Sequence, residues 1–441
     1  MSDTLYDSLV NYLKLGRTSF HTPGHKGQKI FKENIMNLDL TELPLTDSLF
    51  ESSGCIKKSE DSMAELYKTK KTLFSSGGNT LCIQTMIALA VGCNGKMLVG
   101  RNVHKSVIST MALLNITPVW IMNNGDSGIG IPGRISSDDV YKHLKKDKDI
   151  KGVFVTSPDY YGVVSDIKKI SEVCNKFQVP LLVDNAHGSH FMFMDENIHP
   201  INLGATISAD SVHKTLPVMT GGALLHINCD KYIDTAKGYM GIFGSTSPSY
   251  PVMASIDLCE KWLRSEGKNA YNRLKERVLS IKKEAEKIGI FMPSGECDPV
   301  RITLNVASVG YSGEEFRNYL YEYNIEPEFC DDNYVVLIPT PFNSENDFQR
   351  LISALKNVKV KKSKFVEGEG VSLPEVKLSI REAVFSRCET VDVNSSCGRV
   401  AAEIACPCPP GVPVVMPGEI IGQYQKSMLI RYGISEVKVI K

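Results

Sequence analysis

Between about Asp61 and Ile227 the chain alternates strand-like and helix-like segments, and no other feature of its 441 residues constrains the fold so strongly. The strand-like runs are KTLF (71–74), KMLVG (96–100), TPVWIM (117–122), GVFVTS (152–157), PLLVD (180–184) and GALLHI (222–227). The helix-like stretches LCIQTMIALAVG, SSDDVYKHLKK and IKKISEVCNKF fall between several of them. The runs are short and continuously apolar, as strands buried on both faces are. Strand–helix alternation of this kind predicts an α/β domain, with a mostly parallel sheet and helices on both faces.

The rest of the chain divides around that block. Residues 1–50 form an N-terminal arm that opens on a short amphipathic helix. The arm carries FHTPGHKGQ and DLTELPLTDSLF, both too rich in Gly, Pro and Thr for regular elements. A large domain is expected over 51–260, and a long helical stretch from about Val252 to Ile288 leads out of it. A smaller α+β domain is expected over 261–365, with strands in VRITLNVA and NYVVLIPT and helices in EEFRNYLYEYN and ENDFQRLISALKNV. KKSKFVEGEGVSLPE reads as a linker to a C-terminal module over 376–441.

Composition narrows the function classes. Fifty basic residues balance fifty acidic ones, which gives no field for nucleic acid or a membrane surface. No apolar run reaches 18 residues, so no membrane span is expected, and the N-terminus lacks the apolar centre of a signal peptide. The twelve cysteines are scattered, and only Cys406 and Cys408 are close, as C-x-C. Reduced thiols in a cytoplasm are expected, and no metal site.

In open parallel sheets, ligands bind beyond the carboxyl ends of the strands, and polar clusters stand at those ends here. SSGGNT (75–80) follows the first strand. Its glycines and helix start fit a phosphate cradle, with Asn79 and Thr80 as donors, or an ordinary glycine turn. RNVHKSV follows the second strand and offers His104 to stack on a flat ring, or as a loop histidine. VTSPDYYG follows the fourth, with Thr156 and Ser157 in reach. LLVDNAHGSHF ends the fifth in Asp184, followed by Ala186 and His187. Thirty residues further on, DSVHKTLP centres Lys214 among Ser211, His213 and Thr215. An acid at a strand end, then a lysine one supersecondary unit later, is what a pyridoxal-phosphate site needs: a partner for the ring nitrogen and an amine for the aldehyde.

The chain also resembles the bacterial ornithine/lysine/arginine decarboxylases, which are fold-type-I pyridoxal-phosphate enzymes. The stretches that carry the resemblance are FHTPGHKGQ, DLTELPLTDSL, RNVHKSV, VTSPDYYGVVSDI, VDNAHGSHF, SVHKTLP, STSPSY, REAVFSRCETVDV, GRVAAE and PCPPGVPVVMPGE. They run in family order from about residue 17 to 425. The resemblance implies that Lys214 carries the cofactor as a Schiff base. It implies that Asp184 pairs with the ring nitrogen, that His104 stacks on one ring face and that Ala186 packs on the other. Asn79, Thr80, Ser211 and His213 would bind the phosphate, Ser245 and Thr246 would reach it from a neighbouring subunit, and His187 would orient Asp184.

The implied reaction is decarboxylation of a basic amino acid in polyamine metabolism, with arginine, giving agmatine, ahead of lysine or ornithine. Lys214 or His213 would return the proton. The cofactor motifs begin near residue 17, so the compact form without an N-terminal receiver-like wing is expected, as a homodimer or tetramer with shared sites. Asp47, Glu51, Glu326 and Glu328 are candidates for reading the substrate's distal cation, or are surface charges. Other readings are an aminotransferase, a β/γ-eliminating lyase, or a catalytically silent cofactor-binding relative.

Overall fold

The computed structural model describes residues 4–122, 131, 133–363, 373–406 and 413–441. Its centre is a seven-stranded sheet of β1 (Lys71–Ser75), β2 (Lys96–Gly100), β3 (Thr117–Ile121), β4 (Ile150–Thr156), β5 (Leu181–Asp184), β6 (Ile207–Asp210) and β7 (Ala223–Ile227). The strand order is β1-β7-β6-β5-β4-β2-β3. Every neighbouring pair is parallel except those made by β7, which runs antiparallel to β1 and to β6. The seven strand ends at one edge are therefore six carboxyl ends and the start of β7.

Period-two alternation explains the two buried faces. Val99, Phe154, Leu182 and Ala209 point to one side, against Ile83, Met86, Val107 and Met111. Leu98, Val153, Val155, Leu181 and Val183 point to the other, against Val140, Leu144, Ile167 and Ile170. Six strands match the expected runs, and β6 is the seventh. Its sequence ISAD lacks an apolar run because Ser208 and Asp210 interrupt it. Both are fully buried. They are tolerated because Asp210 accepts hydrogen bonds from His199 Nε2 (2.9 Å), Asn185 Nδ2 (2.9 Å) and Ser208 Oγ (3.1 Å).

The helical run Tyr250–Trp262 passes through a π-turn, Leu263–Gly267, into Lys268–Lys287. It crosses the boundary expected at 260 without a break. Beyond it, Ile302–Asn305, Phe329–Cys330 and Tyr334–Leu337 form an antiparallel sheet covered by helices Gly313–Glu322 and Glu345–Lys356. Each helix opens on a capping box, Ser312 with Glu315 and Ser344 with Asp347.

The arm holds more regular structure than its composition suggests. Thr18–Phe20 pairs in parallel with Ile325–Pro327, which ties the arm to the small domain. Helix Leu5–Lys14 forms as expected, with Leu5, Tyr6, Leu9 and Leu13 exposed. Most of the expected linker, 364–372, lies outside the described residues. The C-terminal segment pairs Cys388–Asp392 with Glu436–Ile440 and adds helix Gln423–Arg431 around its own small core. No described helix is long and apolar enough to cross a membrane.

Candidate active site

At the edge where six strands end, the polar clusters meet. β5 ends in Asp184, and the turn after it carries Asn185, Ala186 and His187. β6 ends in Asp210, and one short helical turn (Val212–Thr215) presents Lys214. Lys214 Nζ lies 3.0 Å from His187 Nε2. Burial lowers the ammonium's pKa, against the raising effect of the Asp184 and Glu328 carboxylates. His187 is held well below its ordinary value by burial and by the Lys214 charge. A neutral imidazole thus offers its Nε2 lone pair to the lysine.

Asp184 is almost fully buried. Its Oδ1 accepts from Asn79 Nδ2 (2.9 Å) and from the Ala186 N–H (3.2 Å). Burial pushes the carboxyl up to about 6. Among the described residues no group hydrogen-bonds its Oδ2, which leaves that oxygen for a cationic N–H. Two expectations change here. Asn79, expected on the phosphate, has its side-chain amide on the Asp184 carboxylate. His187, expected to orient Asp184, is on Lys214. The reason is register: Asn79 is the second residue of helix Gly78–Ala90 and is buried there, with its amide on Asp184.

The glycine turn after β1 is pinned by Gly78 N–H donating to Gly221 O (2.8 Å), at the start of β7. Gly78 has φ +69°, which an L side chain rarely adopts. The N–H groups of Asn79 and Thr80 stand in the first turn of the helix, where no helical carbonyl precedes them. His213 Nδ1 donates to Gly222 O (2.8 Å), so a neutral His213 keeps its lone pair on Nε2. Ser211 is buried beside it.

His104 is the N-cap of helix Lys105–Leu114, a helix not expected from the sequence. Its Nδ1 accepts from the Ser106 N–H (3.2 Å) and lies 2.8 Å from Ser106 Oγ. The residue is exposed, and desolvation, then the Lys214 and Lys105 charges, push its imidazole down to about 4. Cap and environment both keep it neutral. Thr156, paired in register with Asp184, has a buried Oγ1 with no partner among the described residues. Ser245 and Thr246 are exposed, and Ser245 Oγ accepts the Ser247 N–H (3.2 Å).

Three parts of the site come from outside the large domain. Tyr160 sets the edge of its ring against His187, centroids 4.9 Å apart, and donates its hydroxyl to Glu328 Oε1 (3.1 Å). Glu328 Oε2 accepts the Thr22 N–H from the arm (2.8 Å). Arg301 Nη1 donates to Tyr160 O (3.2 Å), and its buried Nη2 makes no hydrogen bond among the described residues. Arg301 was not singled out beforehand; the one signal is an arginine heading an apolar strand in DPVRITLN. Of the four acids named as candidates, Glu328 alone reaches Lys214 electrostatically. Glu326 is paired with Arg17 (2.5 Å), and Asp47 caps backbone N–H groups at Ser53, Gly54 and Ile56.

These residues fit pyridoxal phosphate. A buried carboxylate with one oxygen free suits a protonated ring nitrogen. The orphaned Thr156 hydroxyl suits a polar ring substituent, and the first-turn N–H groups suit a phosphate. Together with the sheet order and its single antiparallel strand, they define the class as a fold-type-I pyridoxal-phosphate enzyme. Residues 3–294 match the Orn/Lys/Arg decarboxylase major domain, and residues 370–434 match that family's C-terminal domain. The chain belongs to this family of pyridoxal-phosphate-dependent decarboxylases of basic amino acids.

The chain is similar to the arginine decarboxylase of Bacillus subtilis (strain 168), 31% identical, with 97% of this chain and 93% of that protein covered. It is 32% identical to the arginine decarboxylase of Bacillus anthracis, with 95% and 90% covered. The constitutive lysine decarboxylase of Escherichia coli shares the fold at a TM-score of 0.77 and 19% identity, covering 99% of this chain and 81% of that one.

Proposed function

We propose that the protein decarboxylates arginine to agmatine, as a dimer whose sites are built by both chains. The observation that carries the substrate is the similarity to Bacillus proteins named arginine decarboxylase, which runs over nearly the whole chain. Glu328 supports it, as an acid near Lys214 suited to a substrate's distal cation. Arg301, whose buried Nη2 makes no hydrogen bond among the described residues and lies 3.7 Å from Asp298 Oδ2, keeps a donor for a substrate carboxylate.

Bound at this edge, pyridoxal phosphate supplies an electron sink for the pair left on Cα when the carboxylate departs as carbon dioxide. Lys214 Nζ would hold the cofactor through its aldehyde carbon. Asp184 keeps the ring nitrogen's proton in place, with Asn79 and the Ala186 N–H fixing the plane of the carboxylate. His104 lies on the ring while neutral, so it adds no positive charge to compete with the sink. Ala186 packs on the opposite face. Lys214, once freed, stands at the His187 lone pair and carries the proton that Cα needs. Thr80, Ser211 and His213 bind the phosphate with the first-turn N–H groups, and Ser245 and Thr246 reach it from the partner subunit.

Two exposed features support the dimer: the Ser245–Thr246 turn, and the unpacked apolar face of helix Leu5–Lys14. Purified protein with added cofactor, given arginine, lysine, ornithine and glutamate in turn, is to be assayed for carbon dioxide and amine. Agmatine from arginine is the expected main product. Faster release from lysine or ornithine would reassign the substrate, and a keto acid without carbon dioxide would point to transamination.

A further inference from the structure

The C-terminal motifs REAV and PGE touch no group of the proposed reaction, yet one bonds the last turn of the helix that His104 caps and the other bonds the segment leading into that cap. Glu419, from PGE, meets Arg101 in a two-pronged ion pair: Nη1 to Oε1 at 2.5 Å and Nη2 to Oε2 at 2.7 Å. Both side chains are buried, 4% and 2% exposed. Glu419 Oε2 also accepts the Met416 N–H (2.7 Å), and Trp120 of β3 lies against the guanidinium at 5.0 Å. Arg101 is the first residue after β2, three positions before His104.

The other end of the helix is held from the same module. Arg381, from REAV, donates Nη1 to Ala112 O (3.1 Å) and Leu113 O (2.8 Å), carbonyls of the last turn of Lys105–Leu114. Those carbonyls have no helical donor ahead of them, and a guanidinium suits the negative end of the helix. Between the two grips, Ile380 and Met416 share one core with Val103, Val107, Ile108 and Met111. The turn that presents Glu419 requires Gly418, with φ +88° and a Cβ that would stand 2.2 Å from Leu378 O.

We propose that the C-terminal module is a clamp that sets the ring position of His104: Glu419, through Arg101, and Arg381, through the helix end, are positioning residues for the cofactor-stacking imidazole. The proposal rests on the reading that His104 stacks on the cofactor. Its logic is geometric. A helix fixed at both termini and along one side cannot tilt or slide, so its N-cap side chain is fixed as well.

The test is a double-mutant cycle on holoenzyme, reading the cofactor's visible circular dichroism and its release rate into a cofactor trap. Arg381→Met alters a surface residue and leaves the fold intact; Glu419→Gln keeps the shape of a buried partner. In the His104 background each is expected to speed release roughly two- to thirtyfold, the size of coupling through a packed element, and to weaken the dichroism. Arg381→Lys, which still donates to the carbonyls, is expected to restore both readouts. In a His104→Ala background the same changes are expected to have no added effect. Equal effects in both backgrounds would overturn the clamp, because the module would then act on stability alone. If His104→Ala itself matches the unaltered protein in both readouts, the stacking reading fails first, and the proposal with it. If Glu419→Gln does not fold, Arg381→Met decides.

Discussion

Asp184 works under opposed demands. The proposed mechanism asks for an anion there to pair with a protonated ring nitrogen, while burial pushes its carboxyl up to about 6. Asp184→Asn is predicted to keep the fold and bind cofactor but to lose about 3–4 kcal/mol of rate, roughly 10²–10³ in kcat, because the sink loses its proton. Steady-state turnover at matched cofactor occupancy checks this, and near-normal turnover would remove Asp184 from the mechanism. The same shift makes a pH prediction for cofactor-free protein. A carboxyl with a raised folded pKa stabilises the fold below the unfolded value of 3.8, and that contribution is lost as pH rises to about 6, since the unfolded chain ionises first. Denaturation midpoints should fall across that window in the native sequence and stay flatter in Asp184→Asn. An identical slope in both would assign the titration to another group. Residue types at strand ends made Lys214, Asp184 and His104 readable in the sequence. Their partners were not readable, because whether Asn79 meets a phosphate or a carboxylate depends on one residue of helix register. Arg301 joins the site only through long-range packing, and Tyr160, within VTSPDYYG, gains its contacts with His187 and Glu328 in the same way.

Among elements, the arm packs closely on the lysine turn. Gly24 N–H donates to His213 O (2.7 Å), and its carbonyl accepts from Thr340 Oγ1 (2.7 Å). A Cβ at Gly24 would stand 2.4 Å from Leu216 O and 2.8 Å from Leu216 N, both backbone atoms that cannot swing aside. Gly24→Ala is predicted to push the lysine turn away, at a cost of about 1–3 kcal/mol, with lower cofactor occupancy. A thermal melt and the visible spectrum measure the two effects, and an unchanged melt with full occupancy would contradict this packing. Element types were legible wherever burial was apolar on both faces, as in β1–β5 and β7. β6 was not legible because Ser208 and Asp210 alternate with the buried Ile207 and Ala209, and Asp210 is satisfied by distant histidine and asparagine partners. Helix Lys105–Leu114 escaped because its cap, His104, reads as part of a loop.

At the scale of the molecule, the proposed dimer would cover two exposed features: the Ser245–Thr246 turn and the apolar face of the N-terminal helix. With shared sites, mixing a Lys214→Ala chain with a chain carrying Ser245→Trp and Thr246→Trp leaves one intact site per mixed dimer. Activity is predicted to return, towards half the native value per mixed dimer. Mixed dimers without activity would place both residues in their own chain's turn. The alternating strand–helix block, and the antiparallel strands with two helices beyond it, were legible from strand spacing. The long helical stretch from about Val252 to Ile288 was legible as well; the π-turn Leu263–Gly267 inside it was not, since it leaves no mark in the sequence periodicity.

The central claim is that the strand ends converge on one lysine that holds the cofactor. Borohydride reduction of the holoenzyme, followed by proteolysis and mass mapping, tests it most directly. The account predicts a single reduced pyridoxyl adduct, on the peptide containing Lys214, and none in Lys214→Ala. An adduct on any other lysine, or one that survives that substitution, would contradict it.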